Sequence, residues 1–178
     1  MTDPVDAIAE LSEAMVTLYA ERGILAATAE SCTGGMVAAA ITDHDGASHA
    51  LDRGFVTYSN AAKLAMLGVD GEMLDTVGAV SGEVAGAMAE GALARSDADV
   101  AVSITGIAGP GGGSDTKPVG TVWFGAASAF GSTLVLKREF EDNGRAFIRQ
   151  MSVITALELL LEIGGSAPER SADAEGSG

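Results

Sequence analysis

An early alternation of strands and helices constrains the fold most tightly, and it begins with a short apolar run, a turn of hydroxyls and glycines, and an alanine-rich helix. Residues 24–30 are short, apolar and partly β-branched, and they read as a strand. Ser31-Cys32-Thr33-Gly34-Gly35 follows, and helical spacing takes over across 34–43. After the turn-rich link 44–54, the pattern recurs. Residues 55–59 read as a strand, and Ser59 or Asn60 caps a helix that runs through Leu67. Upstream, Val5, Ile8, Leu11, Met15, Leu18 and Tyr19 recur at three- and four-residue steps. They mark an amphipathic helix over 5–22, with Pro4 at its start and Gly23 at its end. Downstream, Ser81 caps a helix carrying Val84, Ala85, Met88 and Leu93. A strand over 99–105, a glycine-rich loop over 106–120, a hairpin of strands 121–127 and 133–140, and a helix over 144–163 complete the pattern. The order α-β-α-β-α-α-β-β-β-α predicts a three-layer α/β/α sandwich around a mixed, partly parallel sheet. Its parallel pairs come early and its antiparallel pair late. One domain is expected over 1–163, followed by a disordered polar tail over 164–178.

Composition narrows the function. Apolar residues make up 47% of the 178 residues but aromatics only 4%, so Ala, Val, Leu, Ile and Met must build the core. No apolar run approaches the roughly 20 residues that span a bilayer, and the acidic N-terminus lacks the plan of a signal peptide. The chain is expected to be cytoplasmic. Ten basic against 25 acidic residues give a net charge of −15, which disfavours nucleic acid and anionic membranes as partners. A small anionic ligand needs only one or two local cations. A single cysteine excludes an intrachain disulfide and a multi-cysteine zinc site, and no histidine–carboxylate ligand motif is present. Neither metal nor cofactor is expected. Apolar Met and Ala helix faces point to a homo-oligomer.

Two turns at strand ends are candidates for chemistry. In the first, Ser31 or Thr33 can cap the next helix while Gly34 and Gly35 let the backbone bend. The same geometry offers free N–H groups to a phosphate or to an oxyanion. The second holds Gly106, Gly109, Gly111, Gly112, Gly113 and Gly120. It is not a Walker loop, because Lys117 is followed by Pro118. It is not a dinucleotide fingerprint either, because Ser114 stands where the third glycine belongs. It serves as a flexible solvent loop or, stiffened by Pro110 and Pro118, as a fixed cradle.

The stretches TAESCTGGMVAAAIT, GFVTYSNAAKLAMLGV, GAVSGEVAGAMAEGA and SITGIAGPGGGSDTKPVGTVWFG together resemble the CinA C-terminal domain family, over about residues 5–163. The chain is similar to its stand-alone form. The resemblance implies hydrolysis of the carboxamide of nicotinamide mononucleotide to nicotinate mononucleotide and ammonia, within pyridine nucleotide salvage. It also implies Ser31 as nucleophile, Lys63 as base and Tyr58 as an assisting group. Arg53-Gly54 departs from the Gly-Gly of many members, which leaves residue 53 at either the substrate or the turn.

Those roles make chemical sense. A serine needs a partner to take its proton, and His44 and His49 both sit in the turn-rich link, where solvation is the ordinary fate. A neutral lysine is the alternative. Its usual pKa of about 10.4 must be lowered by burial or by the positive end of a helix. Ala61, Ala62, Leu64 and Ala65 around Lys63 are not surface-like. Tyr58 is either a proton relay or a core aromatic. Cys32 is the rival nucleophile; on an extended strand Ser31 and Cys32 point to opposite faces, so one of them faces the pocket. Residue types do not choose between them, and the resemblance selects Ser31. Substrate contacts are expected from Thr33, Gly34, Gly35, Thr105, Gly106, Gly109, Gly111, Gly112 and Arg145, with Arg145 (and Arg149 behind it) either a phosphate ligand or a surface residue. The alternative functions are a non-catalytic nucleotide-sensing module and a competence or DNA-damage factor, the latter opposed by the net charge.

Overall fold

The computed structural model describes residues 3–168. Helix α1 (Pro4–Arg22) starts where the Asp3 carboxylate accepts from the Val5 amide at 2.8 Å, and it ends at Gly23 in the left-handed conformation. Strand β1 (Ala26–Glu30) follows, then α2 (Met36–Thr42), a 3-10 turn (Ala47–His49) and β2 (Leu51–Val56). Three helices come next: α3 (Asn60–Leu67), α4 (Gly71–Val77) and α5 (Gly82–Ala94). Strands β3 (Val100–Gly106), β4 (Thr121–Ser128) and β5 (Leu134–Glu139) lead to the last helix, α6 (Arg145–Gly165).

The five strands form one sheet in the order β2-β1-β3-β4-β5. β1 pairs in parallel with β2 and β3, while β3–β4 and β4–β5 are antiparallel. Helices α1, α2 and α6 cover one face around Met15, Ile41, Ile104, Phe124 and Leu157. Helices α3, α4 and α5 cover the other around Leu67, Leu74, Met88 and Ala101. This is the expected three-layer sandwich with a mixed sheet. Every residue of β1 is buried, as a central strand with helices on both sides requires.

Three boundaries differ from the expectation. The second strand lies at 51–56, not 55–59, so Tyr58 stands in the connection after the strand. Asp52, Arg53 and Gly54 look like turn residues, but β2 is an edge strand and tolerates them. Arg53 binds the Asp52 carboxylate at 2.6 Å, Asp97 at 3.2 Å and the Arg95 carbonyl at 3.1 Å. It ties the start of β2 to the turn after α5. Helix α4 escaped detection because seven residues carry little periodicity; its signal is Asp70, whose carboxylate accepts from the Glu72 amide. Helix α6 runs past the expected end of the domain at 163 to Gly165, and buried Ala167 presents its carbonyl to the Arg22 guanidinium at 2.6 Å. The polar stretch therefore begins docked, and residues 169–178 lie outside the described residues.

Small residues set the spacing between layers. A Cβ on Gly125 of β4 would run into the Ala85 carbonyl oxygen of α5. Ser103 bridges the same point, donating to that oxygen at 2.5 Å and accepting from the Gly125 amide at 3.1 Å. Gly125→Ala must push α5 off the sheet and break this bridge. We expect a loss of about 2–3 kcal/mol, read from the urea midpoint; an unchanged midpoint would show that the layers separate at no cost.

Candidate active site

Three connections at the C-terminal end of the parallel strands converge on one cavity of about 200 Å³. Ser31 and Cys32 come from the turn after β1. Tyr58, Asn60 and Lys63 come from the β2–α3 connection and α3. Thr105, Gly106 and Ala108 come from the end of β3, with Ala79 and Val80 before α5 and Arg145 at the start of α6. A second cavity, of about 260 Å³, lies between β5 and α6 against Leu134, Leu136, Arg138, Glu158 and Leu159. It holds neither of the candidate nucleophiles, so the chemistry belongs to the first.

At the centre, the Lys63 amine lies 2.9 Å from the Ser31 hydroxyl. Its other partners are the carbonyls of Thr57 at 2.8 Å and Tyr58 at 3.3 Å. Lys63 is 1% exposed, and no carboxylate pairs with it among the described residues. Burial lowers its pKa from the ordinary lysine value, while the nearby Cys32 acts weakly in the opposite sense. Two carbonyls can only accept, so each takes an N–H of the amine, and the Ser31 hydroxyl is its third partner; once the amine is neutral, its lone pair can face the Ser31 proton. Lys63 reaches this position because the Ser59 hydroxyl accepts from the Ala62 amide at 3.0 Å and starts α3 at once after the connection.

Ser31 and Cys32 are not on an extended strand. β1 ends at Glu30, and both lie in a tight turn where the Gly34 amide donates to the Ser31 carbonyl. The alternating-face argument therefore does not apply, and both residues line the cavity. Chemistry separates them instead. Burial pushes the Cys32 thiol up to about 11, which leaves almost no thiolate at neutral pH, whereas Ser31 touches the lysine. His44 contacts Ser12 at 2.7 Å and His49 lies in the 3-10 turn; neither lines the cavity.

The remaining expected contacts divide. Thr105, Gly106 and Arg145 line the cavity; Thr33, Gly34, Gly35, Gly109, Gly111 and Gly112 do not. The first turn is no open anion site, because the Glu30 carboxylate already fills it. It accepts from the amides of Gly35 at 3.0 Å, Val37 at 3.1 Å and Ala38 at 3.0 Å. Gly34 and Gly35 have φ of 62° and 102°. Their role in the turn is the backbone bend itself. Thr33 is fully buried and gives its carbonyl to Arg149. In the second loop, the Gly109 carbonyl accepts from Arg145 at 2.8 Å, and Lys117 reaches the Val77 carbonyl at 3.0 Å. The loop is thus tethered at both ends rather than free, although Gly109, Gly111 and Gly112 lie outside the cavity lining. Thr105 donates to the Ala79 carbonyl at 2.8 Å and fixes the opposite wall. Tyr58 is 64% exposed, not a core aromatic, and its hydroxyl accepts from Arg145 at 3.3 Å. Asn60, Ala79, Val80 and Ala108 carry no chemical signature that would have marked them as lining residues.

Cys32→Ala should keep most of the turnover, and the wild-type thiol should resist iodoacetamide at pH 8 until the chain is unfolded. Rapid alkylation of the folded protein, or loss of activity in the alanine variant, would return Cys32 to the catalytic centre.

The comparisons with known proteins agree with one another. A family model described as CinA C-terminal domain matches residues 8–163. The chain is 50% identical over 160 residues to the nicotinamide-nucleotide amidohydrolase PncC of Escherichia coli strain K12, covering 90% of this chain and 95% of that one. It is also 50% identical over 153 residues to the PncC of Enterobacter agglomerans, covering 86% and 93%. Among solved structures, the competence/damage inducible protein CihA of Agrobacterium tumefaciens superposes with a TM-score of 0.87 at 50% identity, covering 88% of this chain and 95% of that chain. With a model spanning almost the whole described fold and relatives matched nearly end to end, the chain belongs to the CinA C-terminal domain family.

Proposed function

We propose that this chain is a nicotinamide-nucleotide amidohydrolase that converts nicotinamide mononucleotide to nicotinate mononucleotide and ammonia through a serine–lysine pair. The observation that carries the mechanism is the buried 2.9 Å contact between Ser31 and Lys63. Relatives carrying the amidohydrolase name over nearly their full length support the reaction.

The steps follow from the side chains. Lys63 takes the Ser31 proton as Oγ bonds to the carboxamide carbon. The carbonyl electron pair moves onto oxygen, and the amides of Cys32 and Ala108, two residues of the cavity lining, are the donors we assign to that oxyanion. When the oxyanion collapses, the C–N bond breaks and Lys63 returns the proton to the leaving nitrogen, which departs as ammonia. Water then attacks the Ser31 ester: Lys63 takes a proton as the new C–O bond forms and returns it to Oγ as the C–Oγ bond breaks, which frees the serine and releases the acid, and this ionises to the carboxylate. Arg145 lines the same cavity and bonds to neither Ser31 nor Lys63. Its guanidinium is held by a neutral carbonyl and the Tyr58 phenol, so its charge is not spent on a carboxylate. It is the cation we assign to the substrate phosphate, with Tyr58 holding it in place.

A non-catalytic sensing module is the competing reading. It gives no reason to bury a lysine against a serine, since desolvating the amine opposes folding unless the neutral form is useful.

Ammonia release decides between them. Nicotinamide mononucleotide should turn over far faster than nicotinamide riboside or nicotinamide, because several charge-assisted hydrogen bonds, roughly 1.5–3 kcal/mol each, go with the phosphate. Ser31→Ala should abolish turnover and keep binding. Comparable rates for the three compounds would remove the phosphate site, and no ammonia from any of them would favour the sensing module.

The lysine gives a pH prediction with a fixed sign. Protonation destroys the lone pair, so kcat/KM should rise with pH through a single ionisation below the ordinary lysine range, and Lys63→Met should be inactive. Stability follows the same sense. A folded-state pKa below the unfolded one means that the unfolded chain binds the proton more tightly. This contribution is complete above the unfolded value of about 10.4 and is lost as pH falls through the folded value. A flat rate profile from pH 5 to about 9, with chemistry limiting, would exclude a lysine base.

A further inference from the structure

Two charged side chains outside the cavity lining grip the turn that carries Ser31, one at each end. Glu30 immediately precedes the serine and is 0% exposed, and its two carboxylate oxygens accept three amides from the far side of the turn, those of Gly35, Val37 and Ala38. Arg149, one helical turn beyond Arg145 on α6, sends Nε to the Cys32 carbonyl at 3.1 Å and Nη2 to the Thr33 carbonyl at 3.0 Å. The two are not paired with each other. Each spends its charge on main-chain groups of the turn, where charge-assisted bonds are strongest and most directional.

The arrangement fixes backbone rather than substrate. The Glu30 carboxylate sets the start of α2 relative to β1, and Gly34 and Gly35, both at positive φ, give the chain room to fold back over it. The Arg149 fork sets the Cys32 and Thr33 peptide planes. With Ser31 between these anchors, and its own amide bonded to the Ile104 carbonyl at 3.0 Å, the hydroxyl has one backbone frame from which to meet Lys63. A lysine at 149 offers a point charge in place of a planar fork. A glutamine at 30 turns an NH2 group toward an amide that needs an acceptor.

We propose that Glu30 and Arg149 are positioning residues for the nucleophile, acting on catalysis through the Ser31 turn and not through the substrate. The inference rests on Ser31 being the nucleophile. Reacting groups held out of line lose rate without losing binding, and a misplacement near 1 Å can cost about 10²-fold.

The test uses the full chain and two conservative variants, Arg149→Lys and Glu30→Gln, each made alone and in a Ser31→Ala background. In the active background we expect kcat for nicotinamide mononucleotide to fall by roughly 10- to 10²-fold at an unchanged KM, well below the melting temperature. In the Ser31→Ala background, calorimetric titration with nicotinamide mononucleotide should give the parental Kd and one site per chain. A weakened Kd would make either residue a substrate ligand and overturn the proposal. Unchanged kcat would also overturn it, and so would a fall in kcat matched by a fall in binding stoichiometry, which reports unfolded chains. Loss of native circular dichroism in both variants would make the pair a folding determinant only, again against the proposal. If Ser31→Ala itself retains turnover, the nucleophile assignment fails, and that result is visible before either residue is changed.

Discussion

Burying one amine against one hydroxyl is the interaction on which the site depends. An isolated lysine inside a protein is unfavourable in its charged form, and a lysine with a carboxylate partner stays charged and cannot act as a base. This chain avoids both outcomes. It removes Lys63 from water, gives it two carbonyls and a hydroxyl, and keeps carboxylates from pairing with it among the described residues. Glu30, the closest acidic residue in sequence to Ser31, has both oxygens engaged by main-chain amides. In a protein with 25 acidic side chains, the carboxylate next to Ser31 in sequence is thus committed to backbone amides.

That contact demands accuracy from three separate connections, and the sandwich supplies it through close packing. Ala26, Ala27 and Ala29 in β1, and Gly125 in β4 under α5, let both helical layers approach the sheet. Short side chains leave few rotamers to shift, so the strand ends are placed by backbone hydrogen bonds more than by side-chain interlock. The sheet then presents the β1 turn beside the end of β3, where the Ser31 amide meets the Ile104 carbonyl, and the Thr57 amide after β2 meets the Glu30 carbonyl at 2.8 Å. Serine, lysine carbonyl partners and cavity wall are all tied into one ladder.

Much of this was legible in the sequence because local patterns carried it. Strand–turn–helix order carries the layers and hydroxyl caps the helix starts; Lys63 is buried as expected, but not for the expected reason, because its neighbours Ala61, Leu64 and Ala65 are exposed and the amine is held inside by the Thr57 and Tyr58 carbonyls. What escaped was tertiary in origin. β2 was placed late because Asp52, Arg53 and Gly54 resemble a turn, and only their position at a sheet edge makes them a strand. Helix α4 was too short for its periodicity to register. The glycines at 34 and 35 were assigned to ligand binding because a helix start usually has free amides; that Glu30 fills this one depends on a side chain folding back over its own turn, which spacing does not reveal. Arg149 was read with Arg145 as a phosphate candidate, yet one helical turn of separation puts one at the cavity and the other on the turn behind it.

The contrast between those two arginines shows how one helix serves binding and geometry together. Arg145 begins α6 at the cavity lining, where it donates to the Gly109 carbonyl and the Tyr58 phenol. Arg149 donates to two carbonyls of the Ser31 turn and lies outside the lining. Buried Ile148, Val153, Leu157 and Leu160 anchor the same helix in the core, so neither arginine moves without displacing apolar packing. A net charge of −15 repels an anionic substrate at long range. Salt screens such repulsion beyond about 8 Å, so what matters is the field inside the cavity. There Arg145 and Lys63 are the two basic side chains of the lining, and burial lowers the pKa of Lys63 from the ordinary lysine value. In the proposed reaction Arg145 is assigned to the phosphate and Lys63 to the Ser31 proton, and α6 carries both Arg145 and Arg149, the residue that holds the Ser31 turn.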